Sequence, residues 1–242
     1  MSGGALVTLD VPETGGWAIS VPAMGSLDGK VALVTGAGSG VGAAIARRLD
    51  AEGATVAVLD GDSTGAELAS RGLRRGMVVR ADVADPIQVD GAVRAVVDHF
   101  GRLDVLVNNT GSGECGPTAA GSTMDITDEQ WHAALAARLD GTFYGTRAAL
   151  RAMKGQGSGV IVTVAAECRH LAHHSAVDGA MRGFTAAVAR DVAPLGILVG
   201  GVAPDCADYL VPDDIAAAVL GLLGPDGERL SGQTITTRGT SG

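Results

Sequence analysis

Residues 35–42 read TGAGSGVG, a glycine-rich loop that follows the apolar run VALVTG at 31–36 and opens a stretch with helical periodicity. A strand, a glycine-rich loop and a helix in that order are typical of a dinucleotide-binding unit. Gly36 would allow the tight turn out of the strand, Gly40 would let the backbone approach a pyrophosphate, and Gly42 would let the helix pack closely on the sheet. The start of the helix would direct its N–H groups and positive dipole end towards the phosphates.

A carboxylate follows this loop at the spacing that the same chemistry requires. The next apolar run, TVAVLD at 55–60, ends on Asp60, whose side chain can accept both hydroxyls of an adenosine ribose and would repel a 2′-phosphate. Neither Arg nor Lys lies in the glycine loop or directly after Asp60. The pattern therefore predicts binding of NAD(H) rather than NADP(H). The alternative is that these are structural glycines in a sheet that binds nothing.

Further apolar runs alternate with helical patterns as far as the C terminus. The runs lie at 76–82, 103–109, 159–166, 197–204 and 233–238, and the helical patterns at 89–100, from Thr127, at 174–192 and at 212–223. Continuous apolar strands separated by helices predict a parallel sheet covered on both faces, a doubly wound Rossmann-type α/β fold. We expect one domain over residues 27–242. The two β-like runs within residues 1–26 predict either a hairpin or an unstructured extension.

The composition limits the classes of partner. Of the 242 residues, 46% are hydrophobic, enough for a full core, and the formal net charge is −9. An acidic surface does not attract nucleic acid or anionic membranes, so neither is expected as a partner. Cys115, Cys168 and Cys206 stand at unrelated spacings, which indicates a reducing compartment rather than a disulfide framework. The absence of a signal-peptide pattern and of an apolar run of about 18 residues favours a cytoplasmic protein.

Together, the pattern TGxxxGxG, Asp60, the Asp82-Val83 pair and NNTG at 108–111 resemble the short-chain dehydrogenase/reductase family over about residues 27–204 and again at 212–238. The resemblance implies an NAD-dependent oxidoreductase that acts on a small-molecule alcohol or ketone. It also implies which residues contact the cofactor, namely Gly36, Ser39, Gly40, Val41, Gly42, Asp60, Asp82, Val83, Asn109 and Gly111.

The catalytic positions that the resemblance identifies carry other residue types. Family members use an Asn, a Ser, a Tyr and a Lys, and here these positions hold Arg138, Ala166, His174 and Asp178. Ala166 cannot donate a hydrogen bond, and Asp178 reverses the sign of the charge expected beside the cofactor. Only residues 205–211 stand where the family has a longer helical lid. The resemblance therefore implies weak or absent standard dehydrogenase activity.

Two further hypotheses follow from these replacements. His174 and Asp178 lie four residues apart and share a helix face, so the carboxylate could favour the imidazolium and fix its tautomer, with Arg138 close by. Such a site could serve an active oxidoreductase or a non-redox enzyme, unless these residues are merely solvated. The second hypothesis is a non-catalytic subunit, either a homo-oligomer (dimer or tetramer) or a hetero-oligomer with an active paralogue. The family resemblance implies that it would associate through the helices at about 127–153 and 174–192. No spacing of His, Cys and carboxylates predicts a metal site.

Overall fold

The computed structural model describes residues 6–9, 17–20, 25–109, 122–165, 171–204 and 211–237. The strands in these ranges are β1 (Leu6–Leu9), β2 (Trp17–Ser20), β3 (Val31–Thr35), β4 (Thr55–Asp60), β5 (Gly76–Arg80), β6 (Val105–Asn109), β7 (Gly159–Val164), β8 (Ile197–Pro204) and β9 (Thr234–Thr237). The α-helices are α1 (Gly40–Ala51), α2 (Ser63–Ser70), α3 (Pro86–Phe100), α4 (Asp128–Ala134), α5 (Gly141–Met153), α6 (Ala172–Val192), α7 (Pro212–Leu223) and α8 (Gly227–Leu230). A π-helical segment, Leu135–Asp140, joins α4 to α5.

Strands β3 to β9 form one parallel sheet in the order β5-β4-β3-β6-β7-β8-β9. This arrangement confirms the predicted doubly wound fold. Strand β3 has β4 on one side and β6 on the other, so the chain changes direction across the sheet at this point. In open parallel sheets such a reversal leaves a crevice at the carboxyl ends of the strands, and ligands bind there.

Apolar side chains cover both faces of the sheet. On one face, α1 and α7 pack through residues such as Ile45, Leu49 and Val219. On the other face, α3, α5 and α6 contribute a second cluster that includes Val96 and Met153. Aliphatic residues dominate both clusters, as the low aromatic content of 3% predicts.

A buried carboxylate holds the amino ends of the two central strands together. Asp104 accepts a hydrogen bond from the Val31 N–H at 3.0 Å and from the Arg102 guanidinium at 2.7 Å. Burial alone would raise the pKa of Asp104, but these hydrogen bonds and the charges of Arg102 and Lys30 lower it below its usual range. The start of β3 is thereby fixed against β6.

Local signals set most of the element boundaries. The helix predicted from Thr127 begins with a capping box, since Thr127 accepts from the Gln130 N–H and the Gln130 side chain accepts from the Thr127 N–H. Helix α3 begins three residues before the predicted Val89. Asp85 caps that helix by accepting from two backbone N–H groups, and Pro86 fits the first helical position because it has no N–H to satisfy.

The N-terminal strands β1 and β2 pair antiparallel, with Leu6 opposite Ser20 and Leu9 opposite Trp17. The pair lies against α7 and β9. The residues predicted to form the intervening turn lie outside the described ranges, and the domain boundary at residue 27 stays a prediction. No helix in the described part of the chain is long and apolar enough to cross a membrane.

Candidate nucleotide site and catalytic cleft

Three of the four glycines in residues 35–42 have two different structural roles. A Cβ on Gly36 would lie 2.2 Å from the Asn109 carbonyl oxygen, and a Cβ on Gly42 would lie 2.1 Å from the Gly36 carbonyl oxygen. These two positions are therefore required to be glycine by internal packing. Gly40 has a φ of +52° and a Cβ there would meet nothing within 4 Å. The open space beside Gly40 fits a loop that admits a ligand close to its backbone.

The first turn of α1 has no acceptor from its own N-cap. Ser39 is extended, its side chain makes no capping hydrogen bond, and no acidic residue lies in the first turn. The first N–H groups of a helix need a partner from outside its own ladder. An anion at this end would supply one and would also be favoured by the helix dipole. These features fit the pyrophosphate of a dinucleotide.

Asp60 is fixed by backbone donors at the carboxyl end of β4. Its two carboxylate oxygens accept from the Gly38 N–H at 2.8 Å and from the Asp62 N–H at 2.9 Å. Asp62 in turn caps α2 through the N–H groups of Thr64 and Gly65. Since a carboxylate oxygen can accept more than one hydrogen bond, Asp60 keeps the capacity to bind ribose hydroxyls.

The Asp82-Val83 pair follows β5 at the same edge of the sheet. Asp82 accepts from the Ala84 N–H at 2.9 Å, and its own N–H donates to the Gln88 side chain at 3.0 Å. Val83 packs against Gly141 of α5, where an added Cβ would lie 3.2 Å from the Val83 carbonyl oxygen. The loop that is predicted to contact adenine is thus held on both sides.

Asn109 ties the carboxyl ends of β3 and β6 together. Its N–H donates to Thr35 Oγ1 at 3.0 Å, and its side-chain amide donates to the carbonyl oxygens of Thr35 and Gly36 at 3.3 and 3.1 Å. The side-chain amide of Asn109 therefore fixes the backbone at the start of the glycine loop. Gly111, which is also predicted to contact the cofactor, lies outside the described residues. Ala166, at the family's serine position, lies outside them as well.

Arg138 and Asp178 form a buried ion pair in the predicted catalytic region. Arg138 comes from the π-helical segment and Asp178 from α6, and their side chains are only 5% and 7% exposed. An Arg138 guanidinium N–H donates to an Asp178 carboxylate oxygen. The two charges neutralise each other, so Asp178 does not present an uncompensated negative charge to the cleft.

The expected pairing of His174 with Asp178 is wrong. The Asp178 carboxylate binds Arg138 on another element, and the described residues contain no hydrogen bond or ion pair between His174 and Asp178. Burial, followed by the charges of Arg138 and His173, lowers the pKa of His174 to about 4. The imidazolium is therefore disfavoured, opposite to the sequence-based expectation. The cause is the tertiary contact with Arg138, whose positive charge engages the Asp178 carboxylate and also disfavours the His174 imidazolium.

A second histidine lies directly beside this group. His173 is 7% exposed, its Nδ1 has no hydrogen-bond partner among the described residues, and its ring meets the His174 ring edge-on at 4.4 Å between centroids. Tyr144 of α5 packs against the second apolar cluster. No group of three His, Cys, Asp or Glu residues in the described ranges is arranged to hold a metal ion.

Arg80 was missed by the sequence analysis. It is the last residue of β5 and lies directly opposite Asp60 in the parallel register. The local pattern that favours NAD(H) includes only the glycine loop and the residues directly after Asp60, so it does not extend to Arg80. The signal that could have found Arg80 is that the predicted third strand of the sheet ends near it, because strand ends meet at one edge of a parallel sheet.

The chain is similar to known dehydrogenases and reductases. A family model described as short chain dehydrogenase matches residues 30–211. A Mycobacterium tuberculosis protein, (5R,7aS)-5-hydroxy-7a-methyl-1-oxo-2,3,5,6,7,7a-hexahydro-1H-indene-carboxyl-CoA reductase, is 38% identical, with 81% of this chain and 78% of that protein covered.

Two solved structures are similar over most of the chain. A short chain dehydrogenase from Burkholderia cenocepacia in complex with NADP is 33% identical, with a TM-score of 0.77 and coverage of 88% of this chain and 98% of that chain. A 3-ketoacyl-(acyl-carrier-protein) reductase from Brucella melitensis complexed with NADH is 30% identical, with a TM-score of 0.81 and the same coverage, 88% and 98%.

The low pKa of His174 predicts a specific pH dependence of stability. Its pKa is about 4 in the folded chain against an ordinary value of 6.5, so between these values the unfolded chain binds a proton that the folded chain does not. The free energy of unfolding should therefore fall as pH is lowered from 6.5 towards 4. His174→Gln should flatten this fall in denaturant titrations at several pH values. His99→Gln, at an exposed histidine on α3, should retain the wild-type slope, and equal slopes in all three proteins would contradict a buried neutral His174.

Proposed function

The chain belongs to the short-chain dehydrogenase family, and we propose that it binds NAD(H) at the carboxyl edge of the sheet and has weak or no standard dehydrogenase activity. The buried Arg138–Asp178 ion pair carries the proposal. It occupies the positions at which the family resemblance places an asparagine and a lysine. The Asp178 carboxylate can only accept hydrogen bonds and is paired with Arg138. It therefore cannot act as the cationic donor that a lysine supplies to a tyrosine and to the nicotinamide ribose.

The nucleotide half of the proposal is supported by the loop after β3 and by Asp60. The open backbone at Gly40 and the uncapped first turn of α1 fit a pyrophosphate. Asp60, held by Gly38 and Asp62, fits a ribose with free hydroxyls, which favours NAD(H) over NADP(H). The two similar structures hold NADP and NADH, so a nicotinamide dinucleotide is the class of ligand that both support.

The position at which the family resemblance places a tyrosine holds His174, which is a poor proton donor. A bound nicotinamide supplies hydride chemistry, and the protein must exchange a proton with the substrate oxygen. With a pKa of about 4, His174 would be protonated in about one molecule in a thousand at pH 7. It is therefore a poor acid for ketone reduction. Loss of a positioned proton donor commonly costs about 10²–10⁴-fold in rate.

One observation favours an active enzyme as a second hypothesis. His174 is neutral at pH 7 and partly exposed beside Arg138, so it could accept a proton during oxidation of an alcohol. A base with so low a pKa is weak, which places this hypothesis second.

Turnover measurements separate the two hypotheses. With a panel of small ketones and secondary alcohols and either NADH or NAD⁺, we expect wild-type turnover at or near the background rate. The quadruple variant Arg138→Asn, Ala166→Ser, His174→Tyr, Asp178→Lys should gain turnover by about 10²-fold or more because it regains the proton donor and its supporting groups. The matched control is the triple variant that keeps His174, and NADH binding checks the fold of each protein. Robust wild-type turnover that His174→Ala abolishes would contradict the proposal and establish the second hypothesis.

We also propose that the chain forms oligomers through the outer face of α5 and α6. A groove of about 340 Å³ lies between these helices, lined by Phe143, Leu150, Phe184 and Val188 among others. Phe143 is 41% exposed, its ring meets Phe184 edge-on, and Arg147 lies over it at 5.0 Å. Exposed aromatic and arginine side chains are enriched at protein interfaces.

Two alanines near this surface face the core instead. Ala134 of α4 and Ala189 of α6 are buried in the core of the chain itself, at 8% and 5% exposure, so these two cannot form close contacts with a partner helix. The aromatic groove is the observation that supports this surface.

Light scattering after gel filtration tests this surface. We expect the wild-type chain to be a dimer or tetramer and the variant Phe143→Glu, Phe184→Glu to be a monomer, because two buried carboxylates would oppose each other across a symmetric contact. Ile87→Glu, at an 82% exposed apolar residue on α3, should keep the wild-type mass. A wild-type monomer at all concentrations would contradict a homo-oligomer and leave the hetero-oligomer with a paralogue.

A further inference from the structure

A basic side chain adjoins the carboxylate expected to bind the adenosine ribose. Strands β4 and β5 pair in parallel with Asp60 opposite Arg80, and the Ala81 N–H donates to the Asp60 carbonyl oxygen at 3.3 Å. Adjacent strands lie about 4.8 Å apart. Arg80, twenty residues away in sequence, is therefore an immediate neighbour of Asp60 in the sheet.

The two side chains project from the same face of the sheet. Leu59 and Val79 belong to the apolar cluster under α3, and side chains alternate along a strand. Asp60 and Arg80, each one residue further on, therefore project from the opposite face, on which α1 and α2 lie. This is also the face of the glycine loop, since Gly38 donates to the Asp60 carboxylate.

Arg80 is not used by the fold in the described structure. It is exposed at the end of an edge strand, and the described residues include no hydrogen bond or ion pair from its side chain. By contrast, Asp60 is fixed by two backbone donors. A rigid carboxylate and an extended, available guanidinium thus adjoin each other where the adenosine ribose is expected.

We propose that Arg80 is a specificity-determining residue that supplies a binding group for the 2′-phosphate of NADP(H), while the Asp60 carboxylate disfavours that same phosphate. This inference rests on the proposed function, because it assumes a nicotinamide dinucleotide at this edge. The 2′-phosphate is attached to a ribose oxygen that Asp60 would otherwise bind, so it must come close to Asp60 and its neighbours. Guanidinium binds phosphate through charge-assisted hydrogen bonds. The preference for NAD(H) then comes from Asp60 alone. Once that carboxylate is neutralised, the Arg80 guanidinium would bind the 2′-phosphate of NADP(H).

Four variants and two nucleotides test the inference by fluorescence and calorimetric titration. The variants are Asp60→Asn, Arg80→Gln, their combination, and Arg75→Gln. Asp60→Asn keeps an acceptor for the part-buried Gly38 N–H, and its amide would face the exposed Asp62 N–H. Arg75→Gln is the matched control because it removes the same charge from an exposed arginine near the opposite end of β5.

We expect Asp60→Asn to tighten NADPH binding by about tenfold and to weaken NADH binding, since it removes repulsion of the phosphate and an acceptor for the ribose. In that background Arg80→Gln should weaken NADPH binding by about fivefold or more, with NADH affinity changing less than about twofold. Arg75→Gln should change neither affinity.

A second measurement excludes effects of the altered nicotinamide half of the site. Adenosine 2′,5′-bisphosphate and AMP would occupy only the adenosine side of the site. Arg80→Gln should weaken binding of the bisphosphate and leave the binding of AMP unchanged. The inference is overturned if NADPH and the bisphosphate bind with the same affinity with and without Arg80, or if Arg75→Gln has the same effect as Arg80→Gln. Failure of the wild-type chain to bind either nucleotide would instead overturn the proposed function, and the inference with it.

Discussion

The junction between β3 and β6 determines the rest of the site. Side chains hold it at both ends, since Asp104 accepts from the Val31 N–H at the amino end and the Asn109 amide donates to the Thr35 and Gly36 carbonyl oxygens at the carboxyl end. Gly36 fits there only because it has no Cβ to meet Asn109. The glycine loop and the start of α1 are consequently fixed before any ligand binds, which is the preorganisation that phosphate binding by backbone groups requires.

The buried Arg138–Asp178 ion pair sets the charge of the predicted catalytic half of the site. A buried pair of this kind is costly to separate, because removal of one partner leaves a charge without compensation. It also places a net-neutral group where the family resemblance predicts a cationic lysine. Nearby, His174 is held neutral by burial and by the Arg138 charge. The predicted nucleotide half therefore keeps the residue types of the family pattern, whereas the predicted catalytic half does not. Both halves lie on the same sheet and its covering helices.

Sequence alone could predict the elements that depend on local patterns. The apolar runs gave the parallel strands, and the Thr127–Gln130 capping box gave a helix start, because both depend on residues close together in the chain. The family resemblance placed Arg138 close to Asp178, but local patterns could not predict their ion pair, since the two residues lie 40 residues apart on different elements. Arg80 beside Asp60 likewise depends on strand register, which is set by the whole sheet. Local rules thus predict the glycine loop and its flanking strand and helix, whereas tertiary contacts decide the charges around them.

The central claim is that the chain retains a working nucleotide site, and calorimetric titration with NADH tests it most directly when glycine variants are compared. Gly40 and Gly101 both have positive φ values, +52° and +78°, and an added Cβ would meet nothing within 4 Å at either position. Alanine should therefore strain the backbone at both positions, but only Gly40→Ala would obstruct a pyrophosphate. We predict that wild type and Gly101→Ala bind NADH with micromolar to low millimolar affinity and that Gly40→Ala binds at least about tenfold more weakly. Absence of binding by the wild-type chain, or equal binding by all three proteins, would contradict the account.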